Sequence, residues 1–428
     1  MLRNRIGLVA LAALVWCGLV PALAAAEKVV FWYRIGAAEF EWIRDELKPR
    51  FEAEFPDHEL EVVHLSSSRA EADQKILIAV ATNQHVDVVR TNPEINLTQY
   101  ARQGTIVPID EYAAVSGLDT ENYYAAAIDM LTVDGKLYGL PYTALPRPVL
   151  WYNDKFFAGS GVAAPSADWT TDDWAAAARN LRVDSDGDGN PEVFGTGYSM
   201  SDVEVEMILN GFGGGFLSRD GTESLAGTPE SLAGAQFIYD LIYKDNSAPT
   251  GDQMEGSLHE MFGSGRVAMN IGNYWNRNFY KAQMGEDDEF KMAPLPAGPL
   301  GRFQQYVAGC LSILKSTRSP QAAFEWIKYF TSEEINREYV EKGFNIGTRP
   351  AVNQDPQFGD DPFVQQFLPI YEVRPYNLPV WPENLRRPQY VELVRNAIER
   401  MYVLGEQPAD VLPDLDRDIT RLLRQRSL

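Results

Sequence analysis

Cysteine is almost missing. The 428 residues hold two, Cys17 and Cys310; Cys17 lies in an apolar N-terminal run with the layout of a cleaved leader, so the remaining chain has no partner with which Cys310 could close a disulfide. Histidine is nearly as scarce. His58, His64, His85 and His259 are the only four, and none falls in an H-E-x-x-H or other metal-ligand spacing. No G-x-S-x-G elbow, P-loop or G-x-G-x-x-G phosphate turn occurs, so no catalytic constellation is visible. A thiol nucleophile would have to be Cys310, which sits in an apolar run and reads as packing. Basic residues are in deficit, 38 against 60 acidic for a net charge of −22. That balance argues against nucleic acid and anionic membrane surfaces as partners. Repeats and low-complexity tracts are absent.

What is present begins with Arg3 and Arg5, an apolar run from Ile6 to Ala26, and small residues at Ala22-Leu23-Ala24 and Ala24-Ala25-Ala26. This is the pattern of a secretory signal peptide over 1–26. A membrane anchor is the competing reading of such a length; Pro21 and the alanine-rich end favour cleavage. Trp16 precedes Cys17 where a lipid-attachment box needs a small residue. The roughly 400 residues that remain exceed what one core usually serves, so two lobes are expected. Nine Trp, twenty Tyr and twenty Phe supply flat apolar faces of the kind on which sugars stack, although most such rings serve packing.

Val29 to Trp32 reads as a strand. Phe40, Ile43, Leu47 and Phe51 then recur at helical spacing, with Pro49 expected to kink or end that helix. Leu60 to Leu65 alternates like a strand, serines 66–68 cap a helix through Ala81, and Val86 to Val89 is the third strand. Strand, helix, strand, helix, strand is the order of a parallel α/β sheet. In such sheets ligands lie at the carboxyl ends of the strands. The rule selects Tyr33 and Arg34, Ser66 and Ser67, and Thr91 and Asn92. Each also reads as turn chemistry, in which serines cap, asparagines turn and Arg34 pairs with a local carboxylate.

Farther on, LTVDGKLYGL reads as a hairpin about Asp134-Gly135. Asp184, Asp186, Asp188, Asn190 and Glu192 alternate through VDSDGDGNPEVFG as in the first part of a calcium loop, but Gly195 stands where the closing glutamate belongs. A structural Ca2+ and a solvated acidic turn both remain open; no cofactor is otherwise required. Asn210 and the glycines at 211 and 213–215 suggest a loop close to a ligand, with a plain turn as the alternative.

The stretch that organises the chain is LYGLPYTALPRPVLWYNDKFF, Leu137 to Phe157. Two extended runs meet at a proline-rich corner, where each X-Pro bond keeps the preceding residue extended. This reads as a hinge beside a cleft. LYGLPY followed by WYNDKFF resembles the crossover of family 1 of the bacterial extracellular solute-binding proteins, the maltose-binding-protein-like group that serves ABC sugar importers. FGSGRVAMNIGNYW (262–275), APLPAGPLG (293–301), YVAGCLSILKSTRSPQAAFEWIKYFTSEE and GFNIGTRPAV (306–352) resemble the same family in the same order.

The resemblance implies two mainly parallel α/β lobes joined by hinge strands. An N-terminal lobe is expected over 27–141 and 300–352, and a C-terminal lobe over 142–299 and 353–428, capped by helices at 362–371, 388–404 and 407–424. It implies a monomeric, periplasmic protein that binds a carbohydrate and hands it to ABC permease subunits, and not an enzyme. By the same resemblance Trp275 is the leading ligand residue; Tyr274 and Tyr142 are expected to stack as well, and Arg349 to reach the cleft. Ser67, Thr91, Asn92 and Asn210 would add hydrogen bonds. Two other readings stay open: a secreted glycoside hydrolase, which needs only two carboxylates about 5–10 Å apart, and a binder of a polyamine, which would want carboxylates where Arg34 and Arg349 stand, or of an acidic or phosphorylated polyol, for which those arginines leave room.

Overall fold

Val29 to Trp32 forms the centre of strand β1 (Glu27–Tyr33), whose β-branched and aromatic residues suit a pleated surface packed on both sides. The computed structural model describes residues 26–34, 36–65, 68–198, 200–218, 220–284, 290–358 and 387–425. The expected leader (all but its last residue, Ala26), Ser66, Ser67 and the helix expected at 362–371 lie outside these. After β1 come α1 (Ala37–Trp42), α2 (Lys48–Glu54), β2 (His58–His64), α3 (Arg69–Ala81) and β3 (Val88–Thr91). Pro49 does not stop the first helix. The chain widens into a π turn over Ile43–Leu47 and resumes as α2 with the proline in its first turn, where the missing N–H costs little. Ser68 caps α3 by accepting from the Glu71 N–H, as its residue type predicts.

Next are α4 (Thr98–Arg102), β4 (Ile106–Val107), α5 (Asp110–Val115), α6 (Ala125–Leu131) and the hairpin β5 (Thr132–Val133) and β6 (Lys136–Leu137). Asp134 and Gly135 both take positive φ, 49° and 78°, which is the two-residue turn that an Asp-Gly pair favours. Then β7 (Leu140–Arg147) and β8 (Val149–Asn153) follow with only Pro148 between them. The second half carries α7 (Thr171–Leu181), α8 (Asp202–Gly211), α9 (Pro229–Tyr239), α10 (Leu258–Gly263), β9 (Met269–Gly272), α11 (Arg277–Gln283) and β10 (Phe290–Pro294). The chain ends with β11 (Gln305–Leu314), α12 (Pro320–Phe330), α13 (Glu333–Glu341), α14 (Pro350–Asn353), α15 (Arg387–Tyr402) and α16 (Pro408–Arg424).

One sheet has the order β2-β1-β3-β11-β4, with β7 also paired to β11, and another the order β10-β8-β9. The chain therefore leaves the first sheet at Arg147 and returns to it at Gln305. Because β7 stays in the first sheet to Arg147, Tyr142 packs with that sheet, beyond the boundary expected at 141/142. The expectation of mainly parallel sheets is met by β2-β1-β3. In the second sheet all ladders are antiparallel, and parallel contacts there are single bridges such as Phe194 with Val267. The chain passes through α7 to α10 between β8 and β9 and through α11 before β10, and returns antiparallel each time.

Two cores result. The first centres on Phe31, Tyr33, Phe51, Trp326 and Phe330, with the Phe51 and Trp326 rings 5.0 Å apart. The second gathers Trp151, Trp174, Phe262, Tyr280 and Tyr402, together with α15 and α16. Fully burying each such side chain contributes about 1.5–3 kcal/mol.

Candidate ligand-binding site

A small pocket opens at the carboxyl ends of β1, β2 and β3. It is lined by Trp32, Arg34, Leu65, Ala72, Asp73, Ile76, Arg90, Asn92 and Asn96. Strand alternation decides which residues reach it. Trp32 and Arg34 face the pocket, while Tyr33 between them is buried and donates its hydroxyl to Glu39. Arg90 and Asn92 likewise face it, while Thr91 turns into the core to Ser312 Oγ at 2.7 Å and the Cys310 thiol at 3.0 Å. Of the residues expected here, Arg34 and Asn92 are thus brought together, and Tyr33 and Thr91 are corrected to core positions. Asp73, Arg90, Asn96 and Trp32 were missed. The same alternation would have found Trp32 and Arg90, two positions from residues already selected.

The pocket walls are fixed from behind. Asp73 accepts from Asn96 Nδ2 at 2.9 Å and from the Tyr100 hydroxyl at 3.1 Å. Asn92 donates through Nδ2 to the Ala308 carbonyl at 2.8 Å. Arg90 donates Nε to the Tyr142 hydroxyl and Nη1 to the Arg34 carbonyl at 3.4 Å. Behind Arg90 lies a buried set comprising Tyr33, Glu39, Tyr142 and Tyr339, with Tyr339 donating to Glu39 at 3.0 Å. Burial raises the Glu39 carboxyl to about 7, against the lowering effect of the Tyr33 hydroxyl and Arg90. Burial likewise pushes Tyr142 up to about 12, opposed by the neighbouring Arg90 charge.

Tyr142 is not a stacking platform. Its ring is enclosed by Tyr33, Phe330 and Tyr339 at 6.0, 5.5 and 5.8 Å, and a Cβ on Gly309 would meet it at 2.7 Å. Arg349 is also placed differently. Only 8% exposed, it donates Nε and Nη2 to the Thr331 carbonyl at 3.1 and 2.9 Å and Nη2 to the Tyr123 hydroxyl at 2.6 Å. Its guanidinium lies 3.9 Å from the Tyr123 ring centroid. It ties α14 to the end of α12. Asn210 is inside α8 and buried, and the glycines after it serve a close approach: a Cβ on Gly214 would stand 2.4 Å from the Ser231 amide at the start of α9.

Opposite the pocket, β9 ends in a turn that separates two neighbouring rings. Tyr274 is fully buried, with its hydroxyl accepting from Arg277 Nη1 at 3.1 Å, whereas Trp275 is 44% exposed. The expected stacking role therefore fails for Tyr274 in this arrangement and is open to Trp275. Trp151 Nε1 holds the turn by donating to the Asn273 carbonyl at 3.1 Å. The Arg147 guanidinium, at the end of β7, lies 5.8 Å from the Trp275 ring centroid.

These halves are joined by β11. Asn92 grips Ala308, which pairs with Ala144, while Arg147 pairs with Gln305 three residues along. At about 3.4 Å per residue the pocket and the Arg147–Trp275 pair stand roughly 10 Å apart along the strand.

A profile of the family described as bacterial extracellular solute-binding protein matches residues 36–337. The chain belongs to this family. A binding protein of Brucella abortus is 24% identical over 399 residues, covering 89% of this chain and 90% of that protein. An ABC substrate-binding protein from Listeria monocytogenes, solved with cycloalternan, superposes with a TM-score of 0.78 at 19% identity over 92% of this chain and 98% of the other. The GacH receptor of Streptomyces glaucescens, solved unliganded and with acarbose, gives 0.77 at 22% identity over 94% and 100%. The fold is thus that of the two-lobe periplasmic binding proteins. Solute-binding proteins of this family act outside the cytoplasmic membrane, bind a ligand and deliver it to ABC permease subunits; the family and these structures are binding proteins and not enzymes. No helix among the described residues is long and apolar enough to cross a membrane.

In this solute-binding protein the acidic loop lies apart from the cleft. Asp184, Asp186 and Asp188 each bring one carboxylate oxygen within 4.8 Å of the others, a donor set that suits a hard divalent cation. Each also accepts a loop amide: Gly187 to Asp184, Asp188 to Asp186 and Asn190 to Asp188. Glu192 is turned back onto the Ser185 amide at 2.9 Å. Gly195 is packed so closely on Ala178 that a Cβ would fall 1.8 Å from its carbonyl oxygen, so no closing side chain fits there.

Proposed function

We propose that this protein, exported by cleavage after a leader within 1–26, captures a mono- or oligosaccharide as a monomer in the periplasm and delivers it to an ABC sugar importer. The observation that carries this reading is an uncovered Trp275 ring beside Arg147, whose partner Gln305 lies on the same strand, β11, that Asn92 of the pocket grips at Ala308. An aromatic face takes the C–H face of a pyranose, and Asp73, Asn92, Asn96 and Arg34 take hydroxyls. The solved relatives with cycloalternan and acarbose support the same ligand class. Ligand contacts from both lobes would shift the population from open to closed about the Arg147–Val149 and 295–304 connections.

A thermal-shift screen across sugars, sugar acids and polyols tests it, because a ligand bound only by the native state raises the melting point. At least one saccharide should raise Tm and emerge intact; a cleaved saccharide would instead support a hydrolase, and a panel with no shift would remove the saccharide reading.

A further inference from the structure

We infer that the saccharide carries an oxyanion, carboxylate or phosphate, and that Arg147 is the residue that selects it. This rests on the saccharide reading above and narrows it to acidic sugars. Arg147 is half-buried at the crossover, and its Nε and Nη2 both donate to one neutral oxygen, Gln305 Oε1, at 3.1 and 2.8 Å. No carboxylate of the described residues lies within ion-pairing distance of it. In a chain with 60 acidic residues against 38 basic, a guanidinium held in a fork by an amide instead of a carboxylate keeps its positive charge uncompensated. Gln305 takes the Nε–Nη2 edge, and the Nη1–Nη2 edge is left to offer paired donors to a planar or tetrahedral oxyanion.

The rest of the cleft adds to this sign. Arg90 also lacks an ion-pair partner among the described residues; its donors go to the Tyr142 hydroxyl and the Arg34 carbonyl. Arg34 lines the same pocket. Asp73 lines the same pocket, and Glu39 lies behind Tyr33. A neutral sugar would leave the Arg147 charge unmatched as the lobes close and exclude water, at a desolvation cost. An anionic substituent near Arg147, with its ring against Trp275, removes that cost. Gln305 holds the guanidinium in position without neutralising it.

The test uses the purified protein and matched pairs in calorimetry: oligosaccharides of glucuronate with glucose, galacturonate with galactose, mannuronate with mannose, and the corresponding sugar 1-phosphates. In at least one pair the acidic member should bind tenfold or more tightly than the neutral one, with an affinity that falls as salt rises. Arg147→Gln should abolish that ratio, while Arg147→Lys keeps part of it and separates charge from fold; melting curves of both variants confirm folding. Carboxylate and phosphate arms distinguish the two oxyanions. Neutral members binding as tightly as acidic ones in every pair, or a ratio unchanged in Arg147→Gln, overturns the inference and leaves the saccharide reading standing. Failure of every saccharide, acidic or neutral, overturns both.

Discussion

The two halves of the cleft are built in opposite ways. On the first sheet every polar group facing the pocket for which partners are described is held by another group: Asp73 by Asn96 and Tyr100, Asn92 by a β11 carbonyl, Arg90 by Tyr142. On the second, one indole ring stands uncovered with a single guanidinium beside it. On the proposed saccharide reading, the first half would be preorganised to read hydroxyls, and the second would supply an apolar face whose contact is completed only when a ligand arrives. The contrast also runs within the second half, between neighbours. Tyr274 and Trp275 are adjacent in sequence, yet one closes the core and the other faces outward, and only the fold says which.

The sharpest way to break this comparison is to truncate both rings. Tyr274→Ala should cost about 3–5 kcal/mol of stability, as for large aromatic truncations in cores. Trp275→Ala should leave stability within about 0.5 kcal/mol, as for exposed positions, and weaken saccharide binding by roughly 1–3 kcal/mol. Denaturant melts and calorimetry on both variants check the pair. A Trp275→Ala protein with unchanged affinity would remove the ring from the site.

Next in size is Arg349. Its removal takes three charge-assisted hydrogen bonds from the Thr331 carbonyl and the Tyr123 hydroxyl, which keep their bond to each other, so Arg349→Ala should lose about 2–3 kcal/mol of stability with ligand affinity unchanged at temperatures where it is folded. A selective loss of binding would return Arg349 to the cleft, where the family resemblance of GFNIGTRPAV had placed it.

The alternation of the first strands, the cap at Ser68 and the Asp-Gly hairpin were legible because each depends on local periodicity or turn chemistry; the division into two lobes came from chain length and the family resemblance. Site membership was legible only where the parity of a strand was applied in full: Arg34 and Asn92 were found, and their parity partners Trp32 and Arg90 were passed over. Tyr142 was expected in the site from the crossover, Arg349 from the family resemblance and Asn210 from the glycine cluster beside it. Two of these side chains are instead claimed by distant segments, Tyr142 by Arg90 and α13, Arg349 by Tyr123 and Thr331, contacts with sequence separations that no local pattern encodes; Asn210 is buried within α8.

A smaller effect compares two buried glutamates, one in each half. Burial lifts Glu39 to about 7 and Glu206 to about 8, the latter with help from Asp202. Both lie above the unfolded carboxyl range of about 4.3, so the native state keeps protons that the unfolded chain releases. Their contribution is complete below about pH 4.5 and is lost as pH rises through 7 to 8. Unfolding free energy should therefore decline between about pH 4.5 and 8, by a few kcal/mol per group. Glu39→Gln and Glu206→Gln should each flatten the slope. If Glu39→Gln also alters the pH dependence of ligand affinity and Glu206→Gln does not, Arg90 connects only the first of them to the site.

The smallest effect concerns the acidic loop of the second half, which has no counterpart beside the first sheet. Three converging aspartates with no closing glutamate make a weak site, comparable to extracellular modules that bind Ca2+ at about 10⁻⁴–10⁻³ M. At ten times such a dissociation constant, binding raises stability by about 1.4 kcal/mol. Millimolar Ca2+ should thus raise Tm by a few degrees, Mg2+ by less because it demands tighter octahedral geometry, and Asp186→Asn should shrink the increment. Saccharide affinity should not change in either ion, because the loop's carboxylates bond to its own amides and none lines the pocket or touches Trp275. A melting curve indifferent to Ca2+ would leave the three carboxylates as acceptors for the loop's own backbone, a role that the Gly187, Asp188 and Asn190 amides already give them.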